Sequence, residues 1–487
     1  MPADTQACLR GSAGYAHKLE AASHIFDIWT DRGADTGALA DRYLDGSVDM
    51  LDQFMTDAAC LPDKAVQRST TCPKPQQGIP VWHKDDLSYE QFVQRFMQPN
   101  LPVMIQGLTV DWQASKDWVT ADNGVNVDFI AHHFGQAQVM VSDTTRLNVG
   151  CAPRLDMTVA EFAQWWKMHK AGQDDRLLYL KDWHFTNEFP DYKAYHTPCY
   201  FQEDWLNEFY DIRQRRPPQK GHMAGSADDT PQAGDAADKG DAQEGVADGD
   251  MGGGSNAGCD VASSDYRFVY LGCKGTWTPL HADVLRSYSW STNVTGRKRW
   301  KLLPPQSTHL LYDRFGREMA ATFDIGKLEG RDRFPNLEKA CQHTIECIQE
   351  AGETIFVPSG WHHTVENLED TLSINHNWLN GYNIHWAVAL LQQERTDAIA
   401  CIEDCREGCT EEEFEHLVQR NMAANCGMNY AFMDTFMHVI LERESQLLRH
   451  ANQQLQARHS FNVAKSTWTL RKLHQHSSSV STESIDI

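Results

Sequence analysis

Residues 277–305 read WTPLHADVLRSYSWSTNVTGRKRWKLLPP, and the row of small polar residues at the centre of this stretch decides the fold. Ser287, Ser289, Ser291 and Asn293 alternate with Tyr288, Trp290, Thr292 and Val294, so an extended chain has one polar and one apolar face. The polar face either meets solvent while Tyr288 and Trp290 pack in a core, or it lines a polar interior. The alternation alone fits both. What stands at the ends of the row favours the interior. His281 and Asp283, two apart on an extended segment, leave from one face as a ready pair of metal ligands. Thr295-Gly296 reads as a two-residue hairpin turn, which sets Asn293 opposite Lys298 and puts that lysine on the polar face. A buried lysine there needs an anion, so a small anionic molecule would bridge metal and ammonium.

A second stretch, FVPSGWHHTV at 356–365, brings His362 and His363 on one strand, with a glycine that lets the backbone turn. HxD alone recurs by chance in many proteins; its conjunction with a distant histidine on a glycine-bracketed strand carries more weight. Two histidines and one carboxylate leave three positions of an octahedral metal open, which suits a non-haem Fe(II) oxygenase. Closed structural zinc sites differ, since they use four ligands and prefer cysteine. Fe(II), a lysine for a distal carboxylate and three open positions imply 2-oxoglutarate as co-substrate and O2 as oxidant.

Working outward, short alternating segments (YRFVYLGC, SYSWSTNV, KRWKLLPP, ETIFVPS and TLSINHNW) read as strands of a sandwich or barrel. Before them, the capping boxes Ser88/Gln91 and Thr158/Glu161 start helices, and LPVMIQGL and RLLYLKDW read as buried strands. After Gly381 the pattern is helical, with a further capping box at Thr410/Glu413. Residues 1–75 form an extension ahead of the fold, 76–213 its first part, 265–380 the catalytic core, 381–456 the C-terminal helices and 457–487 a flexible tail. Between the halves, 214–264 is rich in Gly, Ala and Asp and lacks the apolar residues to offset its ordering, so a disordered insert is expected.

The net charge of −23 is partly local: residues 221–260 hold nine acids and one lysine. The remainder is moderately acidic, which disfavours nucleic acid as a partner and tolerates a basic substrate. No apolar run is long enough to span a membrane and no secretory signal opens the chain, so a cytoplasmic protein is expected, with the nucleus as a second place. Thirteen cysteines without CxxC pairs fit reduced thiols. Cys401, Cys405 and Cys409, spaced by four, read as one face of a packed helix in preference to a soft-metal site.

WTPLHAD, the GRKRW turn, FVPSGWHHTV and SINHNW stand in the order and spacing of the JmjC-domain oxygenases, which this chain resembles over roughly residues 78–213 and 265–400. With YLKDWH and LSYEQFVQRFMQPNLPVMI, it most resembles the jumonji domain-containing protein 4 family, described as lysyl hydroxylases of the translation termination factor. The resemblance implies an α+β fold: a double-stranded β-helix (cupin-like jelly roll, JmjC) core with an N-terminal α/β cover and a C-terminal helical region. It implies that His281, Asp283 and His363 hold the iron, with His362 facing away, and that Lys298 and Thr278 bind the distal carboxylate of 2-oxoglutarate. Tyr179 matches a tyrosine with the same task, and Asn375 and Asn377 would line the co-substrate pocket. The partner implied is a protein, the peptide chain release factor. The rival activities are demethylation of histone methyl-lysine, for which no reader or zinc motif speaks here, and a catalytically inactive cupin-like binding module. A cationic substrate side chain calls for an acid near the pocket; Asp182 and Glu366 are both adjacent in sequence to site strands.

Overall fold

A computed structural model of the chain describes residues 78–145, 152–215, 265–324 and 331–454. The 1–75 extension, all but the first two residues of the acidic insert, and the 457–487 tail lie outside them. Among the described residues thirteen strands form two sheets. In chain order they are β1 (Val81–His83), β2 (Val103–Gln106), β3 (Gln138–Asp143), β4 (Arg154–Thr158), β5 (Leu178–Trp183), β6 (Arg267–Gly272) and β7 (Trp277–His281). Then follow β8 (Tyr288–Thr295), β9 (Lys298–Leu303), β10 (Ile345–Gln349), β11 (Thr354–Val357), β12 (His362–Asn367) and β13 (Thr371–Trp378). The large sheet has the order β1-β2-β11-β8-β13-β6-β5-β3-β4 and the small one β10-β9-β12-β7. Apart from the parallel β1/β2 edge, every pairing is antiparallel.

Two facing sheets that exchange consecutive strands make the expected jelly roll. Between them lies an apolar cluster drawn from both: Met104, Ile355 and Val357 from the large sheet, Trp300, Leu302 and Val365 from the small one. A larger core, including Phe92, Phe162, Trp290 and Trp378, packs the N-terminal helices against the other face of the large sheet. The N-terminal cover is therefore continuous with the barrel, since its strands extend both edges of one sheet. All three capping boxes form, at Ser88, Thr158 and Thr410. Behind the last, the C-terminal helices (Ile384–Ile402, Glu411–Cys426 and Tyr430–Gln454) share a core with Trp205, Phe209 and Leu285.

Three expectations need correction. Thr295-Gly296 is no hairpin: β8 pairs with β11 and β13, whereas β9 pairs with β10 and β12 in the opposite sheet. The chain turns a corner from one wall to the other, and Asn293 does not pair with Lys298. Gly296, at φ +81°, makes the corner possible, because a Cβ there would stand 2.0 Å from the Asp370 carbonyl oxygen. Gly296→Ala is accordingly expected to lower stability by more than about 1 kcal/mol, read as a fall in the thermal midpoint. Second, FVPSGWHHTV is not one strand, since Pro358–Trp361 carry the chain from β11 in one sheet to β12 in the other, turning at Gly360 (φ +73°). Third, Cys401, Cys405 and Cys409 do not share a packed helix face. The helix ends at Ile402, the following Glu403–Gly408 turn is held by Arg406 pairing with Glu403 and Glu411, and Cys401 and Cys405 are exposed.

Candidate active site

Every residue of β8 is buried, so its polar face cannot be a solvent face. β13 meets it with Ser373 opposite Asn293, Asn375 opposite Ser291 and Asn377 opposite Ser289. Directly paired residues share a face, so the two strands lay a polar floor inside the barrel. Their other faces hold Tyr288, Trp290, Ile374 and Trp378 in the outer core.

At one end of the floor stand His281, Asp283 and His363, whose ligand atoms all lie within 4.8 Å of one another; they are the only such group among the described residues. His281 ends β7 and His363 lies opposite it on β12, with ring centroids 4.4 Å apart. Both imidazoles are oriented by backbone. His281 Nδ1 lies 2.8 Å from the Pro279 carbonyl oxygen and His363 Nδ1 3.0 Å from that of Trp361. A carbonyl only accepts, so each Nδ1 carries the proton and each Nε2 keeps its lone pair for a metal. Burial, then the neighbouring His363, pushes the His281 pKa down to about 4, which keeps the ring in its neutral, ligating form. On Asp283, Oδ2 accepts the Ser289 hydroxyl at 2.7 Å. Ser289→Ala, which frees this carboxylate to rotate, is expected to weaken metal binding by about 10- to 100-fold in a competition titration. His362 points away from the group, its Nδ1 3.2 Å from the Thr308 hydroxyl.

Thr278 and His281 are three apart, a spacing that puts two residues of a regular strand on opposite faces. A break in the β7/β12 register resolves this, with His281 opposite His363 but Thr278 opposite Val365. The bulge brings Thr278 onto the inner face beside the histidine.

At the far end, Lys298 comes from β9 in the facing sheet and is 2% exposed. Its ammonium donates to Ser373 Oγ at 2.7 Å, one strand over from Asn293. The lysine thus reaches the polar floor from across the barrel and not along a hairpin. Among the described residues no carboxylate pairs with it, and burial alone pushes its pKa down to about 7. Asn367 lies opposite Lys298 on β12 and its Nδ2 donates to Thr276 Oγ1 at 2.8 Å; Tyr179 is buried on β5. Asn377 Nδ2 donates to Ser287 and Asn375 Nδ2 reaches Ser373 Oγ at 3.5 Å. Ser291 Oγ, Asn293 Oδ1 and Asn367 Oδ1 are buried with no hydrogen-bond partner among the described residues. The Ser291 hydroxyl, free to donate, and the acid-free ammonium fit an anionic guest, whereas the two amide oxygens accept only and call for a donor such as water. Sequence reasoning placed Ser289 on the polar face without its contact to Asp283, and missed Ser373 and Asn367. The alternation that marked the serine row was the available signal for the first; the others needed the sheet order.

The Cupin-like domain family matches residues 89–384. Among curated proteins, the chain is similar to the Arginine-specific demethylase JMJ20 of Arabidopsis thaliana (44% identity over 72% of this chain and 68% of the relative). It is also similar to the 2-oxoglutarate and iron-dependent oxygenase JMJD4 of Danio rerio (35%, 74% and 75%) and of Homo sapiens (34%, 75% and 76%). No helix among the described residues is long and apolar enough to cross a membrane.

Proposed function

The chain belongs to the cupin-like domain family, among the JmjC-type 2-oxoglutarate and iron-dependent oxygenases, and on that premise we propose that it hydroxylates a lysyl side chain of a protein, the peptide chain release factor first among candidates. In this reading His281, Asp283 and His363 hold the iron, through two Nε2 atoms and the Asp283 carboxylate. Lys298, helped by Thr278, Tyr179, Asn375 and Asn377, holds 2-oxoglutarate. Bound together, iron and co-substrate supply an O2-consuming oxidative decarboxylation that releases succinate and CO2. The chain's own part is to place and to shield. The Pro279 and Trp361 carbonyls fix the imidazole tautomers, Ser289 steadies the carboxylate, and Trp300, Leu302, Ile355 and Val357 keep one side of the chamber dry. The single observation that carries the reading is the convergence, on one buried polar floor, of a two-His/one-carboxylate group and an ammonium with no acid of its own.

The 44% identical relative favours a second reading, removal of a methyl group from arginine. One experiment separates these activities. The enzyme is incubated with Fe(II), 2-oxoglutarate, ascorbate and either release factor or methylated histone, and the proteins are then mapped by mass spectrometry. A lysine gaining one oxygen supports hydroxylation. Loss of a methyl group with release of formaldehyde, from arginine or from lysine, replaces it with demethylation. Absence of succinate under all conditions would leave the inactive binding module.

A further inference from the structure

Next to the polar floor, β6 continues the inner face: Asn375 lies opposite Phe268 and Ser373 opposite Tyr270. These two rings are stacked, 6.2 Å apart and within 5° of parallel, and are only half-buried, so they form an accessible aromatic wall beside the site. Asp182 stands against that wall, accepting the Tyr270 hydroxyl on Oδ1 at 2.7 Å. Its position is specific. The β5/β6 register breaks between Leu180 and Trp183, and Asp182 takes φ +57°, a conformation that re-aims its carboxylate out of the regular alternation. Among the described residues no cation pairs with it. Burial first, then the Asp182 carboxylate, holds the Tyr270 hydroxyl well above its ordinary pKa, so it remains a donor. The other acid adjacent to a site strand, Glu366, pairs with Arg299 at 3.1 Å through a side chain that is about half exposed.

We propose that Asp182 is the acceptor for the cationic end of the substrate side chain, a lysine ammonium or an arginine guanidinium, with Tyr270 fixing the carboxylate and Phe268 and Tyr270 as its aromatic wall. A cation gains both from the carboxylate and from the faces of the two rings. The proposal rests on the oxygenase reading above for the place where the side chain enters, and it names the residue that would receive that side chain's charge.

The test is binding to the full-length apoprotein, followed by fluorescence anisotropy, of labelled peptides carrying one central lysine or arginine, or the neutral analogues norleucine and citrulline. The wild type is expected to prefer the cationic peptides by about tenfold or more, as for one well-placed charge contact. Asp182→Asn, which tolerates the same left-handed backbone, should bring the two classes to within about twofold. Asp182→Glu should restore part of the preference. Tyr270→Phe, which leaves the charge but loosens it, should reduce the preference by a few fold and stands in if the asparagine variant does not fold. A wild type indifferent to charge, or an Asp182→Asn protein that keeps the preference, overturns the proposal. Succinate release by the wild-type holoenzyme is measured in parallel: its absence would sink the oxygenase reading, while the peptide preference would still decide the role of Asp182.

Discussion

Asp283→Ala is expected to leave the chain folded but to weaken its hold on ferrous iron by more than about 100-fold, beyond what loss of a supporting hydrogen bond costs. Succinate release should fall to background with it. The fold should survive because Asp283 is half-buried at the start of a short turn and, among the described residues, its side chain is hydrogen-bonded only to Ser289. His281→Ala should act alike, since it takes away one of two Nε2 donors whose orientation depends on backbone carbonyls that remain in place. The measurement pairs bound iron, read colorimetrically after desalting, with a thermal melt of each variant. His362→Ala is the contrast: that ring stands outside the group, so iron retention should be near normal. Full iron retention and turnover by Asp283→Ala would remove the metal assignment.

Lys298→Met is expected to weaken 2-oxoglutarate binding by on the order of 100-fold or more, the usual result of truncating one partner of a buried charge pair. It should also stabilise the protein in the absence of co-substrate. In an unfolded chain a lysine titrates near its ordinary value of about 10.4, whereas burial pushes Lys298 to about 7. Between those values the unfolded chain holds a proton that the folded chain has released. Wild-type stability therefore rises with pH across that window, and the destabilisation is complete below about pH 7. Lys298→Met should remove this dependence. Binding a dicarboxylate restores the ammonium, so above pH 7 association should take up a proton. Calorimetry in two buffers of different ionisation enthalpy reads that uptake directly, and its absence, with unchanged co-substrate affinity in the methionine variant, would remove Lys298 from the binding site.

Much of this was legible along the chain because it is written in local periods. The capping boxes at Ser88, Thr158 and Thr410 are three-residue patterns, and each one forms. The alternation 287–294 gives the polar and apolar faces of β8 correctly, since which side a residue takes depends only on its neighbours. Which strand lies alongside is a long-range matter, and there the reading failed. Thr295-Gly296 looks like a hairpin by composition, yet the packing of Gly296 against the Asp370 carbonyl sends β9 to the other sheet. Lys298 was still assigned to the polar interior, for a reason that does not hold: it arrives from the opposite wall and ends on Ser373. The bulge that aligns Thr278 with His281, and the one that turns out Asp182, leave no periodic trace, because each is one residue out of step in a pairing made far along the chain.

The strand β8 ties the two ends of the chamber together. Its Ser289 holds the Asp283 carboxylate, and its Asn293 lies beside the Ser373 that receives Lys298, a separation of four residues or about 13 Å along a strand. No loop intervenes between these two anchor points, and β11 and β13 clamp the strand on both edges. On the proposed reading, β8 would therefore act as a rigid spacer between the iron and the ammonium, and a dicarboxylate one carbon shorter or longer is expected to bind less tightly.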